Sequence, residues 1–296
     1  MNNDAQRVWK AAALTEVLRA IAQSETLCAR LIFKGGRILH RRLGREARQS
    51  YDLDAALTQA FVAEFPEREA QRRAIHDELT SSLARYFARV DPVQFTPRDV
   101  RVVLKPRDAH PQGWNAFEVQ IRLVDLALQR GQTPPTLTID LSAPESLGPK
   151  ATATMDVDGH QVTAYTLERI AGEKLRAFLS SLPTHRAKFA KPGNAVRAKD
   201  LYDLACIATA MPLSNSVFWD TVALEFGHAC ASRHVDCVGI ASFAEQFEVT
   251  RAAYEGDATI PKDIPFDVAW SAVREIVSRF AATGAVPRSY PSRPSP

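Results

Sequence analysis

The spacing of apolar residues changes near the middle of the chain. In the first half, short apolar runs predict strands, and apolar positions recurring every three or four residues predict helices. The predicted strands cover residues 31–33, 51–57, 100–104, 116–124 and 136–142. The predicted helices of this half cover residues 7–22, 37–43 and 66–89. This half is expected to be an α/β core, because strands and helices alternate along it.

From Thr166 onward the spacing is helical. The predicted helices cover residues 167–182, 195–210, 215–230, 241–254 and 266–282. We therefore expect a core lobe with a mixed sheet over residues 1–160 and a helical lobe over residues 161–283. The tail, residues 284–296, is rich in Pro, Ser and Arg. Such a composition is typical of disordered segments, so we predict a disordered tail.

Composition narrows the class of protein. Of the 296 residues, 46% are hydrophobic and 24% are charged, which is typical of soluble globular proteins. No apolar run approaches the roughly 20 residues needed to cross a bilayer, and the N-terminus lacks a secretion signal. The four cysteines show no C-x-x-C pairing and are predicted to be reduced thiols. These features predict a cytoplasmic protein with no membrane partner. The net charge of +3 is too small to indicate nucleic-acid binding by itself.

Two aspartates on one predicted strand are the first candidate for chemistry. Successive side chains of a strand point to opposite faces, so Asp52 and Asp54 must point the same way. Two carboxylates about 7 Å apart along a strand repel each other unless a cation lies between them. Asp-x-Asp also occurs by chance, and the pattern of an EF-hand loop is missing after Asp54.

A glycine pair precedes the aspartates. Gly35 and Gly36 follow Lys34 and open a predicted helix, whose first backbone N–H groups and positive dipole end suit phosphate. The pair matches neither a dinucleotide-binding fingerprint nor a Walker A loop, and a bare Gly-Gly is often only a turn. Together with the downstream aspartates, however, it predicts a divalent metal beside a phosphate, as nucleotidyl or phosphoryl transfer requires.

A third carboxylate could come from a neighbouring strand. Asp140 lies in an alternating segment, residues 136–142, that is typical of a strand. It would complete a two-metal site, although an aspartate at a strand end is the simpler structural explanation. Asp125 is a weaker competitor for the same role.

Lys174 interrupts the apolar stripe of a predicted helix. At about 100° per residue it falls between Ala171 and Phe178. Lysine rarely lies on a buried face without a partner, so a snorkelling side chain is the structural alternative. The functional interpretation directs its ammonium group across the lobe interface at a triphosphate.

The predicted helix over residues 195–210 carries a second charged group of residues. The apolar pattern predicts Arg197 near the centre of the buried face, Asp200 near its edge and Asp203 closer to solvent. Buried Arg and Asp on one face indicate a paired network or a site. A structural bridge between helices explains this segment equally well.

Four motifs together resemble those of the AbiEii/AbiGii-type nucleotidyltransferase toxins of bacteria. In chain order they are Lys34-Gly35-Gly36, Arg48-x-Ser50-x-Asp52-x-Asp54, Glu173 to Ala177, and Arg197 to Leu204. The resemblance covers about residues 31–57 and 166–206. It implies a polymerase-β-like nucleotidyltransferase core joined to a helical lobe. It also implies Mg²⁺-dependent use of a nucleoside triphosphate, a cognate antitoxin protein, and a part in phage defence and growth arrest.

The resemblance also implies roles for single residues. Asp52 and Asp54 would bind metal and act in catalysis, Gly35 and Gly36 would hold the phosphates, and Lys174 would neutralise triphosphate charge. Asp200 would position that lysine or accept a proton from the attacking hydroxyl. The remaining residues expected around the nucleotide are Lys34, Arg48, Ser50 and Arg197.

The predicted reaction moves a nucleoside monophosphate from an NTP to an acceptor, which the resemblance implies to be the 3′ end of tRNA. The acceptor hydroxyl would attack the α-phosphorus in line and pyrophosphate would leave, with the protein supplying position and charge stabilisation. Two alternatives stay open at this point. The same site could modify a protein hydroxyl, or the fold could bind a nucleotide or an antitoxin without turnover.

Overall fold

A computed structural model of the chain describes residues 3–44, 50–107, 116–128, 133–183, 195–233 and 240–283. The strands in these ranges are β1 (Leu31–Lys34), β2 (Leu53–Leu57), β3 (Phe95–Lys105), β4 (Ala116–Asp125), β5 (Leu137–Ser142), β6 (Thr152–Val157) and β7 (His160–Tyr165). The first helices are α1 (Asn3–Ala22), α2 (Glu25–Arg30), α3 (Gly35–Leu43), α4 (Gln59–Glu64) and α5 (Arg68–Phe87). The later helices are α6 (Leu167–Ser181), α7 (Ala198–Ala210), α8 (Ser216–Arg233), a 3₁₀ segment (Ile240–Gln246), α9 (Phe247–Gly256) and α10 (Phe266–Thr283).

The described strands form one seven-stranded sheet in the order β3-β4-β5-β2-β1-β7-β6. Strand β2 runs antiparallel to β1 and parallel to β5, and β1 runs parallel to β7. Strands β3, β4 and β5 are antiparallel neighbours. The sheet is therefore mixed, and the α/β fold class predicted from the sequence is confirmed.

Strand register sorts the side chains into apolar and polar rows. One row crosses five strands through apolar residues that are all buried: Phe117, Leu141, Ala55, Phe33 and Ala164. The next row, one residue along, is polar and consists of Glu118, Asp140, Asp54 and Lys34. Because the side-chain period is two, these rows lie on opposite faces of the sheet. Helices α1, α2 and α5 pack against the strands and help to bury the apolar rows.

The chain divides into two compact units. The first comprises residues 1–38, 49–145 and 153–164 and contains most of the sheet. The second comprises residues 39–48, 146–152 and 165–296 and contains helices α6 to α10. Both units are thus discontinuous in sequence, whereas the sequence suggested two continuous lobes that meet near residue 160. The division into a core lobe over residues 1–160 and a helical lobe over residues 161–283 stays a prediction.

Several element boundaries follow from local signals. Thr166 caps α6, since its side chain accepts a hydrogen bond from the backbone N–H of Arg169, and the helix runs to Ser181 as the apolar spacing predicts. Gly44 follows α3 with a φ of +62°, which fits a glycine that ends a helix. The helix predicted over 241–254 is instead a 3₁₀ segment followed by α9. The short helices α2 and α4 and the β6–β7 hairpin were not predicted.

Two further sequence predictions concern cysteines and membrane helices. Cys28, Cys206 and Cys230 carry thiols, and Cys206 and Cys230 are buried. Cys237 and the predicted disordered tail lie outside the described residues. Within the described ranges, every helix is too short or too polar to span a bilayer.

Candidate functional site

Three aspartates meet on the polar face of the sheet. Asp54 on β2 is in register with Asp140 on β5, so their side chains lie on the same face of neighbouring strands. Asp52 precedes Asp54 by two residues. One carboxylate oxygen from each of Asp52, Asp54 and Asp140 lies within 4.8 Å of the others. The geometry therefore brings Asp140 beside the predicted pair, and the role of the three as metal ligands stays a prediction.

The three carboxylates fit a hard divalent cation. Mg²⁺ prefers octahedral oxygen ligands at about 2.1 Å, so adjacent ligands of one ion lie about 3 Å apart and opposite ones about 4.2 Å apart. Carboxylate oxygens that already lie within 4.8 Å of one another would reach these separations through rotation of the side chains. Asp52 is exposed and the other two carboxylates are half-buried, so solvent and ions reach the group. Asp52, Asp54 and Asp140 are the residues that would hold a metal.

Gly35 makes room for one of these carboxylates. Its φ of +78° lies in the left-handed region. A Cβ at this position would lie 2.0 Å from Oδ2 of Asp54, which a folded chain does not tolerate. The Asp54 carboxylate therefore lies directly against the first residue of α3. Gly36, the second residue of the predicted phosphate cradle, is buried.

Ser50 and Arg37 hold the exposed aspartate in place. Ser50 is buried, and its hydroxyl donates to Oδ1 of Asp52 over 2.8 Å. Arg37 in turn donates from Nη2 to the Ser50 carbonyl oxygen over 3.2 Å and from Nη1 to Thr15 Oγ1 over 3.1 Å. The sequence indicated Ser50 as a residue near the nucleotide, but it gave no signal for Arg37, because nothing local links α3 to α1. Arg48, which was also expected around the nucleotide, lies outside the described residues.

Lys34 is engaged by protein oxygens. Its buried ammonium group donates to Ser142 Oγ over 2.8 Å and to Glu145 Oε1 over 2.5 Å. These bonds tie the end of β1 to the end of β5 and to the segment that follows it. The predicted contact of Lys34 with a nucleotide stays a prediction.

Lys105 is a neighbour of the aspartates that the sequence did not indicate. Its ammonium group lies 3.1 Å from Oδ1 of Asp140 and also forms a close ion pair with Glu118. Gln120 donates to the same Glu118 carboxylate over 2.7 Å. The hydrogen bond from Lys105, then that from Gln120, holds the pKa of Glu118 below its usual value. Lys105 could have been found only from the β3–β4 register, which pairs it with Ala116 and so places it diagonally across from Glu118 on the same face.

Asp125, the weaker competitor for the third carboxylate, has a structural role. It is buried and accepts a hydrogen bond from the Trp9 indole over 2.7 Å. Its other oxygen accepts one from the backbone N–H of Ala127 over 2.8 Å. These bonds fix the end of β4 to α1.

The helical unit contains a separate buried charge network. The Lys174 ammonium group is buried, as its place in the apolar stripe of α6 predicts. It lies 3.1 Å from Oδ1 of Asp200 and 2.6 Å from Oδ2 of Asp203, both on α7. Two carboxylates thus compensate the buried lysine, which excludes the snorkelling alternative.

Two placements predicted for α7 are wrong. Asp203, expected closer to solvent, is fully buried, and Lys174 compensates its charge there. Arg197, expected near the centre of the buried face, has a side chain that is 61% exposed. The reason is that α7 begins at Ala198, so Arg197 precedes the helix and does not follow its periodicity.

The pKa of Asp200 reflects this network. Burial alone would raise the pKa, but the charges of Lys174 and Arg197, together with their hydrogen bonds, outweigh burial and lower it to about 2. Asp200 is therefore held as a carboxylate at neutral pH.

Comparison with known proteins decides the family. A family described as nucleotidyl transferase AbiEii toxin, type IV toxin–antitoxin system, matches residues 16–275. The chain belongs to this family. This AbiEii-family chain is thus a nucleotidyltransferase of toxin–antitoxin type, whose family implies a nucleotide substrate and an antitoxin partner. The match spans the sheet, the aspartates and the buried network of the helical unit.

Other comparisons add distant structural neighbours of the AbiEii-family chain. No curated protein matches its sequence. A Helicobacter pylori protein described as a candidate nucleotidyltransferase aligns over 94% of this chain and 96% of its own, with 13% identity and a TM-score of 0.47. JHP933 from Helicobacter pylori aligns over 92% of each chain, with 14% identity and a TM-score of 0.45. An antigenic nucleotidyltransferase-like protein from Paracoccidioides brasiliensis aligns over 86% of this chain and 99% of its own, with 12% identity and a TM-score of 0.31.

Proposed function

We propose that the chain transfers a nucleoside monophosphate from an NTP to an RNA hydroxyl, with tRNA 3′ ends as the acceptor, and uses Mg²⁺ held by Asp52, Asp54 and Asp140. The observation that carries the proposal is the meeting of these three carboxylates, within 4.8 Å, on an accessible sheet face of a nucleotidyltransferase-family chain. In this proposal the reaction takes place in the cytoplasm and blocks translation until the antitoxin neutralises the toxin.

The chemistry divides between the ion and the side chains. When bound, Mg²⁺ would withdraw charge from the phosphates and favour the attacking oxyanion. The protein fixes the geometry of the ligands before the substrate arrives. Ser50 and Arg37 orient Asp52, and Gly35 leaves the space that Asp54 occupies. Such preorganisation lowers the barrier because little rearrangement is needed at the moment of reaction.

The helical unit contributes Lys174 and Asp200 to this proposal. Lys174 would offset triphosphate charge, and Asp200 would position its ammonium group through the 3.1 Å contact between them. The low pKa of Asp200 means that it serves as an anionic positioning group at neutral pH. The other residues proposed around the nucleotide are Lys34, Gly35, Gly36, Arg48, Ser50 and Arg197.

Labelled substrate tests the proposal. Purified protein is incubated with each α-³²P-labelled NTP, total tRNA and cell protein, with Mg²⁺ or with EDTA. We expect label in RNA, lost with EDTA and in Asp54→Asn. Asp99→Asn is the matched control, because it removes an acidic group from the same sheet outside the triad. Label in protein instead of RNA would show that the acceptor is a protein. No label with any NTP would overturn the proposed transfer.

A further inference from the structure

A lysine is built into the edge of the proposed metal site. Strand β3 ends at Lys105, and the β3–β4 register places its side chain on the face that carries Glu118. Glu118 is in turn the register partner of Asp140 on β5. The ammonium group of Lys105 therefore lies between two carboxylates, 3.1 Å from that of Asp140 and closer to that of Glu118.

The two carboxylates that hold Lys105 differ in their other partners. Asp140 lies within reach of a cation shared with Asp52 and Asp54. Glu118 is outside that triad and is fixed by a 2.7 Å hydrogen bond from Gln120. Lys105 can thus lose its contact with Asp140 and still keep its ion pair with Glu118. Since both Lys105 and Asp140 are about half exposed, water replaces the lost contact at little cost.

We propose that the ammonium group of Lys105 competes with the divalent metal for Asp140. When the metal binds, Glu118 keeps the lysine as its ion-pair partner. The proposal rests on the proposed function in one respect, that Asp140 is a metal ligand. In the nucleotide-free protein this competition lowers metal affinity. A metal ion that binds together with a triphosphate brings additional oxygen ligands and negative charge. It therefore displaces Lys105 from Asp140 more readily than a free ion does.

Mn²⁺ binding to the full chain, followed by the EPR signal of the free ion, tests the proposal without any turnover. We expect Lys105→Met to bind Mn²⁺ about fivefold more tightly than wild type, the factor that corresponds to an ion pair worth ~1 kcal/mol. Lys105→Arg keeps the charge and should stay close to wild type. Arg122→Met is the matched control: it removes a charge from the same face of β4, about 13 Å along the strand from Glu118, and should change affinity less than about twofold.

A double-mutant cycle separates Lys105 from general electrostatics. Glu118→Gln should weaken Mn²⁺ binding, because the lysine then pairs with Asp140 alone. If Glu118 acts through Lys105, most of that effect disappears in the Lys105→Met background. Equal effects of Glu118→Gln in both backgrounds would overturn the proposed exchange.

Asp140→Asn distinguishes failure of this inference from failure of the proposed function. If Asp140→Asn leaves Mn²⁺ affinity unchanged, the proposed metal site itself is wrong. If it weakens binding while Lys105→Met leaves affinity unchanged or lowers it, only the competition is overturned. An equal gain in Lys105→Met and Arg122→Met would likewise overturn it.

Discussion

Two clusters among the described residues combine aspartates with a lysine, and their surroundings differ. On the sheet, Asp140 and Lys105 have side chains that are 45% and 47% exposed. In the helical unit, the Asp203 side chain is 0% exposed and that of Lys174 is 9% exposed. The same residue types therefore form a solvent-accessible group in one unit and a buried network in the other.

This difference in exposure determines what each cluster can do. An exposed ion pair contributes little to stability, so its carboxylate can exchange a lysine for a metal ion. In a buried network, removal of one partner leaves an uncompensated charge in a medium of low dielectric constant. We infer that the sheet cluster can exchange its cation for a metal ion, whereas the helical cluster holds Lys174 in the fixed position from which it is proposed to offset triphosphate charge.

The largest expected effect comes from Lys174→Met. This change leaves Asp200 and Asp203 buried without their shared cation, and it should lower the free energy of unfolding by about 3–5 kcal/mol. Urea denaturation without added metal measures it. Lys105→Met is the control and should cost less than about 1 kcal/mol. Wild-type stability in Lys174→Met would show that the two clusters do not differ as described.

Asp54→Asn should act on catalysis while leaving stability intact. Loss of one metal ligand should reduce nucleotidyl transfer by roughly 10²- to 10³-fold, equivalent to about 3–4 kcal/mol of transition-state stabilisation. The metal-free protein should unfold at the wild-type denaturant concentration or slightly above it. Initial rates and urea curves on the same preparation measure both quantities. A large loss of stability would instead assign Asp54 a structural role.

The pH dependence of stability should carry the signature of Asp200. Its pKa is lowered from 3.8 to about 2 in the folded chain, so the unfolded chain binds this proton more tightly. The resulting stabilisation, about 2 kcal/mol, is complete above pH 4 and is lost as pH falls towards 2. Urea unfolding from pH 5 to 2 measures it. In Asp200→Asn this part of the acid-induced loss should disappear, and an unchanged profile would contradict the assignment.

The smallest expected effect comes from Asp52→Asn. Relief of repulsion among the three carboxylates should stabilise the metal-free protein by about 0.5 kcal/mol. The gain should vanish in saturating Mg²⁺, because the ion stabilises wild type more than the variant. Thermal unfolding with and without Mg²⁺ tests this, and a destabilised metal-free variant would contradict the proposed repulsion.

Local patterns predicted much of this structure. The alternation in residues 136–142 predicted β5, on which Asp140 was a candidate partner of Asp52 and Asp54, and Thr166 marked the start of α6. Short apolar runs also located β1 and β2. These features depend on contacts within one element or between neighbouring strands, which period and residue type encode directly.

Features that depend on distant partners were missed or misplaced. Lys105 joins the aspartates only through the β3–β4 register. The charge of the buried Asp203 is compensated by Lys174, which lies on a different helix. The β6–β7 strands are short, so their apolar alternation extends over only a few residues, although Asp158-Gly159 at their turn is a hairpin signal.

Anomalous scattering from crystals grown with Mn²⁺ and a non-hydrolysable NTP tests the central claim most directly. We expect an anomalous peak between Asp52, Asp54 and Asp140, with carboxylate oxygens at about 2.2 Å and a triphosphate oxygen completing the coordination. Wild-type crystals in which Mn²⁺ accompanies the triphosphate elsewhere, with the three aspartates uncoordinated, would contradict the account.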